Sequence, residues 1–198
     1  MLLVTYATAD EYLDALPGLL RGWRGDVYLE ILPAEMKWVD ACNHKPTLLR
    51  NAAKHHNGII VYLDADATIT TPFTEKDVAA ALDGKTWGAH WHTSSEGAWC
   101  MSGTIFFDSR RRDVIEWLTQ WRQACEAKPT RFLCDQANLT EIAQQWDHAR
   151  LGPEWCWLEP QAVHKGTINE REPPDPVYVW HYQHSRKYAN KKGGRGHD

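Results

Sequence analysis

Five consecutive apolar or aromatic residues, Ile59 to Leu63, run into Asp64, Ala65 and Asp66 within the stretch GIIVYLDADATITT (Gly58 to Thr71). A strand apolar at every position needs cover on both faces, which is the condition inside a mainly parallel sheet flanked by helices. Such a strand delivers its two carboxylates at its own exit.

The surrounding pattern agrees with that placement. LLVTY (Leu2 to Tyr6) reads as a strand, and Asp10 to Arg21 as a helix with Tyr12, Leu13, Leu16 and Leu20 at helical spacing. DVYLEIL (Asp26 to Leu32) has strand composition, and KPTLLRNAAKHHNG (Lys45 to Gly58) reads as a helix with proline at its start and Asn-Gly as its stop. Strand, helix, strand, helix, strand predicts an α/β domain with a mainly parallel central sheet flanked by helices. Ligands of such sheets collect beyond the carboxyl ends of the strands, where Asp64 and Asp66 lie, with Tyr6 and Ala7 after the first strand.

Further along, EKDVAAALDG predicts a short helix closed by glycine, and TWGAHWH and TIFFD (Thr104 to Asp108) two strands. Ser109 is expected to cap a helix through about Glu126 with Val114, Ile115, Leu118 and Trp121 on one face. DQANLTEIAQQW (Asp135 to Trp146) predicts another helix and VYVWHY (Val177 to Tyr182) a late strand. Residues 1–188 are read as one domain, with 189–198 as a disordered basic tail.

Composition narrows the partners. With 198 residues, 43% of them hydrophobic, the chain can bury one core, and a net charge of −4 gives no general pull toward nucleic acid or an anionic membrane. A local basic cluster spans Lys187 to Arg195. No apolar run reaches the roughly 20 residues of a membrane span, and MLLVTYATADEY lacks signal-peptide character, so the expectation is a soluble, cytoplasmic protein with no membrane association. Five scattered cysteines without a CxxC pair read as reduced, mostly buried thiols. Eleven tryptophans suggest that some line a groove for stacking on sugars or bases.

Two carboxylates at i and i+2 in a turn can converge on one divalent cation, magnesium or manganese; alternatively one caps the turn and the other is solvated. LDADAT also fits the haloacid dehalogenase-type phosphatase pattern, with Asp64 as nucleophile, Asp66 as general acid or base and Thr68 on the phosphate. That chemistry needs further acids downstream, and no Asp-Asp pair or GDxxxD follows Thr68. A third class is a noncatalytic, tryptophan-rich module binding sugar or nucleic acid. His90 and His92 alternate on one strand face and read as a packed or solvated pair, His55 and His56 as a helix end, and Arg110 to Arg112 as a solvated first turn.

Five motifs, in chain order CNHKPTLLRNA, YLDADATI, MSGTIFFD, DQANL and HYQHSRK, resemble the GT-A glycosyltransferases that use nucleotide sugars, in particular the small glycogenin-like type. The resemblance covers roughly Leu2 to Lys187 and implies a single Rossmann-like GT-A domain. It implies that Asp64 and Asp66 bind a metal on the donor diphosphate, Asp66 more directly, and that His181 completes the protein's ligands. Mn2+ (or Mg2+) is the expected ion, the imidazole favouring manganese. By the same resemblance Lys187 meets the diphosphate as a catalytic cation, and Lys45, Tyr6, Ala7 and Ala65 hold the nucleotide. Asp135 and Gln136 bond the donor sugar, and Ser102 and Gly103 let backbone approach it. It further implies UDP as the nucleotide and retention of configuration, with Asp135 nearest the reacting carbon. The acceptor stays open among a protein, a glycan, a metabolite or a modified DNA base.

Overall fold

The computed structural model describes residues 1–9, 12–94, 97–129, 134–158 and 173–181. Its elements in order are β1 (Leu2–Thr8), α1 (Leu16–Gly22), β2 (Asp26–Leu32), α2 (Trp38–His55), β3 (Ile59–Leu63), β4 (Ala67–Ile69) and α3 (Glu75–Leu82). There follow β5 (Trp87–Ser94), β6 (Gly97–Asp108), α4 (Val114–Ala127), α5 (Cys134–Ala143), β7 (His148–Leu151), a 3-10 turn, β8 (Trp157–Leu158) and β9 (Val179–His181).

The main sheet has the order β2-β1-β3-β6-β5-β7. β1 pairs parallel with β2 and β3, and β5 parallel with β7, while β6 runs antiparallel between β3 and β5. The sheet is therefore mainly but not purely parallel. The exception has a local cause: β5 ends at Ser94 and β6 begins at Gly97, and so short a connection can join only antiparallel neighbours.

β3 is buried at all five positions because its two faces serve two cores. Ile60 and Tyr62 pack with Leu48 and Leu49 of α2, Trp117 and Trp121 of α4 and Leu139 of α5. Ile59, Val61 and Leu63 pack with Leu19 of α1 and Val78 and Leu82 of α3 on the opposite face. Each fully buried side chain of this size contributes about 1.5–3 kcal/mol relative to exposure. Trp23, Trp87, Trp117, Trp121, Trp155 and Trp157, six of the eleven tryptophans, are buried, with Trp87 stacked on Trp117 at 4.9 Å. Most of the tryptophans thus build the core, while Trp38 is exposed and Trp91, Trp99, Trp146 and Trp180 are half-buried.

Several boundaries differ from the sequence reading. α1 starts at Leu16 rather than Asp10, with Pro17 in its first turn, where a fixed φ favours helix entry. α2 starts at Trp38 rather than Lys45, which leaves Pro46 inside the helix. Burial of Lys45, Pro46, Leu48 and Leu49 against the sheet outweighs the local cost of proline there. Ser109 caps no helix: its hydroxyl lies 2.6 Å from the His56 carbonyl and accepts the Gly58 N–H at 3.0 Å, tying the start of β3 to the end of β6. α4 then begins at Val114, so Arg110 to Arg112 precede it; Arg110 forks onto Asp108 at 2.8 and 2.7 Å. The basic tail lies outside the described residues, as does Asp10. Among the described residues no helix is long and apolar enough to cross a membrane.

Candidate active site

Asp64 leaves β3 in a tight turn: its N–H donates to the Gly103 carbonyl and its own carbonyl accepts from Ala67 N, each at 2.9 Å. Ala65, buried against Ala7 and Leu16, lets the turn fold flat onto the end of β1. β4 starts directly after Asp66, and its antiparallel ladder with β9 sets Ala67 opposite His181. A three-residue ladder thus carries a histidine from the far end of the chain to the two acids. One ligand atom each from Asp64, Asp66 and His181 lies within 4.8 Å of the others, with Asp66 8% and His181 3% exposed.

Two oxygen or nitrogen ligands of one octahedral cation stand about 3 to 4.2 Å apart, so a set within 4.8 Å reaches coordination with about half an ångström of contraction. The donor set, two carboxylates and an imidazole, suits a hard or borderline divalent cation. Gly103 holds this space open: a Cβ there would stand 2.9 Å from Asp64 Oδ2 and 3.1 Å from His181 Cε1.

His181 Nε2 lies 2.8 Å from Thr104 Oγ1. With the threonine oxygen accepting from Nε2–H, the lone pair is left on Nδ1. Burial pushes the His181 pKa below its ordinary value, against the pull of Asp66 and Asp64, and pushes the Cys156 thiol up to about 12. A neutral, oriented imidazole is the form that ligates a metal. Thr104→Val should therefore weaken the binding of any divalent cation held by this group by about 10- to 100-fold with little change in fold, read by titration with manganese as the probe and by the ring-nitrogen NMR shifts of His181. Unchanged affinity and an unchanged tautomer would remove Thr104 from the site.

A second cluster lies directly beneath. Lys45, 3% exposed, places Nζ 3.2 Å from Asp64 Oδ1, 2.9 Å from Asp135 Oδ2 and 3.0 Å from the Ser102 carbonyl. Ser102 Oγ donates to Asp135 Oδ2 at 2.7 Å, and Tyr62 O–H donates to Asp64 Oδ1 at 2.6 Å. Burial alone would lower the Lys45 pKa, but Asp135 and then Asp64 outweigh it and hold it well above the ordinary value. Burial alone would raise that of Asp64, but Lys45, His181 and the Tyr62 hydroxyl hold it below the usual carboxylate range. Both groups therefore stay charged near neutrality.

The structure brings Lys45, Asp64, Asp66, Ser102, Gly103, Asp135 and His181 together. Lys45, expected to hold the nucleotide, is here a buried strut under Asp64. Tyr6 stands beside the cluster, its ring 6.3 Å from that of Tyr62 and 6.4 Å from that of His44. Ala7 is buried behind the turn, and Gln136 is half-buried next to Asp135, its carbonyl accepting from Thr140. Lys187 lies outside the described residues. Among the described residues the acidic pair and His181 form the one such ligand group, so His90 and His92 build no second centre. His90 Nδ1 sits 3.0 Å from the Leu151 carbonyl, and His92 packs edge-on against Trp99. Sequence reasoning missed Tyr62 and Thr104, which look like ordinary strand residues; their only signal is a hydroxyl inside an apolar run.

No protein-family profile matches the sequence, and no curated protein matches it by sequence. Solved structures do match. A glycosyltransferase involved in glycosylation of the major capsid of PBCV-1 superposes with a TM-score of 0.67 at 14% identity, over 96% of this chain and 97% of that one. The glycosyltransferase GlyE of Streptococcus pneumoniae TIGR4 gives 0.64 at 11% identity, over 91% of this chain and 54% of that one. The galactosyltransferase LgtC, solved with donor and acceptor sugar analogs, gives 0.54 at 12% identity, over 92% and 87%. Likeness at such identities speaks to architecture, and the architecture is the GT-A fold that the ordered motifs implied.

Proposed function

We propose that this chain is a metal-dependent glycosyltransferase that takes a hexose-type sugar from a nucleoside-diphosphate donor, UDP being the expected nucleotide, and passes it to an acceptor hydroxyl. The observation that carries the reading is the convergence of Asp64, Asp66 and His181 at the carboxyl end of β3, on a fold shared with glycosyltransferases. Asp66 and His181 are the more direct ligands, and Asp64 is braced by Lys45 and Tyr62. When bound, the cation, with manganese favoured by the imidazole, neutralises the charge that develops on the departing diphosphate.

The chain's own residues do the rest. Tyr6, Ala7 and Ala65 form the nucleotide side of the turn, and Lys187 is the cation that the motif resemblance assigns to the diphosphate. Ser102 and Gly103 allow close backbone approach to the sugar. Asp135 and Gln136 face its polar groups, with Asp135 fixed by Lys45 and Ser102 and assigned beside the reacting carbon. Retention of configuration follows from the same resemblance.

The phosphatase alternative needs further carboxylates to hold its magnesium, and among the described residues the group beside Asp64 and Asp66 is completed by His181 instead. The tryptophan-platform alternative loses its support to the buried tryptophans. The test is calorimetry of UDP with manganese and with chelator, followed by sugar release from a panel of UDP-hexoses. Tight UDP binding only with metal, and metal-dependent release, are expected. Equal UDP affinity in both conditions would sink the reading, and binding without release from any donor would leave a sugar-binding module.

A further inference from the structure

β2 is an outer strand of the main sheet, paired with β1 on one side and, among the described residues, with no strand on the other. Four of its seven residues are large apolar side chains in the open: Val27 is 41% exposed, Tyr28 40%, Leu29 38% and Ile31 46%. Elsewhere among the described residues only Leu13 and Trp38 are comparably exposed hydrophobics. Sheet edges are ordinarily protected by lysine, proline, a bulge or brevity. DVYLEIL has no lysine and no proline, and its register with β1 runs without a break from Leu2↔Asp26 to Thr8↔Leu32. The opposite edge, β7, is only four residues long.

We propose that this edge is an interface between two copies of the chain: β2 pairs antiparallel with β2 of a second copy, centred on Leu29, giving a two-fold dimer with one continuous sheet. The occupant follows from charge and side-chain complementarity. Two-fold antiparallel pairing sets some residue opposite itself, and centring on Leu29 is the register that uses all seven positions. Val27 then faces Ile31 and Leu29 faces Leu29 on one side of the sheet, while Tyr28 faces Glu30 and Asp26 faces Leu32 on the other. On the Val27, Leu29 and Ile31 side apolar side chains meet apolar ones, and on neither side does an acid meet an acid. Shifting the centre to Tyr28 sets Asp26 against Glu30, and shifting it to Glu30 sets that acid against itself, both unfavourable in a cross-strand pair. Because the contact is isologous, each copy uses up its long edge and assembly stops at two.

The inference does not depend on the transferase reading, and its experiment is separate. Sedimentation at tens of micromolar should show a dimer, and Ile31→Lys, which enters the interface twice, should weaken it at least about tenfold while retaining the folding cooperativity of the parent. Register is read by cysteine. Leu29→Cys should cross-link to itself under mild oxidation, since directly opposed Cβ atoms stand about 4.5–5.5 Å apart, close to disulfide reach. Val27→Cys and Ile31→Cys should cross-link when mixed with each other and far less alone, with the parent's own thiols as background. A monomeric parent, as expected if another part of this chain or a different partner covers the strand, overturns the proposal. So does cross-linking of Leu29→Cys no better than that of Val27→Cys alone.

Discussion

On the proposed reading, replacing Asp66 with alanine should abolish the metal-dependent part of UDP binding and slow sugar release on the order of a thousandfold, because the cation that would neutralise the developing negative charge loses its most direct ligand. The remaining ligands cannot take over. Asp64 is engaged at Oδ1 by Tyr62 at 2.6 Å and Lys45 at 3.2 Å, and His181 hangs from a three-residue ladder with its Nε2 tied to Thr104. Asp66→Asn keeps the shape and removes the charge, so a comparable loss there assigns the effect to ligation rather than to the turn. Calorimetry with and without metal, beside the thermal midpoint of each variant, checks this. Manganese that still strengthens UDP binding in the alanine variant would mean the ion is held elsewhere.

The largest expected effect on stability belongs to Lys45→Met. The ammonium group is buried between Asp64, Asp135 and the Ser102 carbonyl, and its removal leaves Asp135, itself 4% exposed, without a countercharge. Breaking a buried pair from one side costs about 3–5 kcal/mol. In a chain of this size that lowers the melting midpoint by roughly 6–20 °C. The double variant Lys45→Met with Asp135→Leu should recover much of the loss, since an apolar replacement of a buried pair is often neutral. Metal-dependent UDP binding should stay impaired in both, because Asp64 has lost its brace. A single variant that melts with the parent would show that Lys45 is not the hub described here.

Much of this was legible in the linear chain for a physical reason: β3 carries its requirement for two covers in every residue, and the short apolar runs of β1, β2 and β6 are separated by helical spacing. Asp64 and Asp66 could be picked out as a carboxylate pair suited to one ion, and His181 through the resemblance of its motif. Their meeting depends on the pairing of β4 with β9, a contact between segments far apart in sequence that local pattern does not encode. Helix starts failed where packing outweighed local rules: Pro46 looks like a helix entrance and sits in an interior, and Ser109 looks like a cap and serves as a strand clasp. Lys45 showed the same gap between type and environment. Nothing in its neighbours along the chain announces burial, and the tryptophans, abundant enough to suggest a platform, mostly fill the space between sheet and helices.

The ladder that sets Ala67 opposite His181 has a consequence for how the fold is held together. A cation shared by Asp66 and His181 is a reversible cross-link between two points separated by more than half of the chain. Like a disulfide spanning about a hundred residues, it would restrict the unfolded ensemble far more than the folded one, an effect of roughly 4–5 kcal/mol in the chain-entropy limit. The ion that serves the chemistry would then also act as a removable rivet, and the folded protein would be most tightly closed when it is loaded to react.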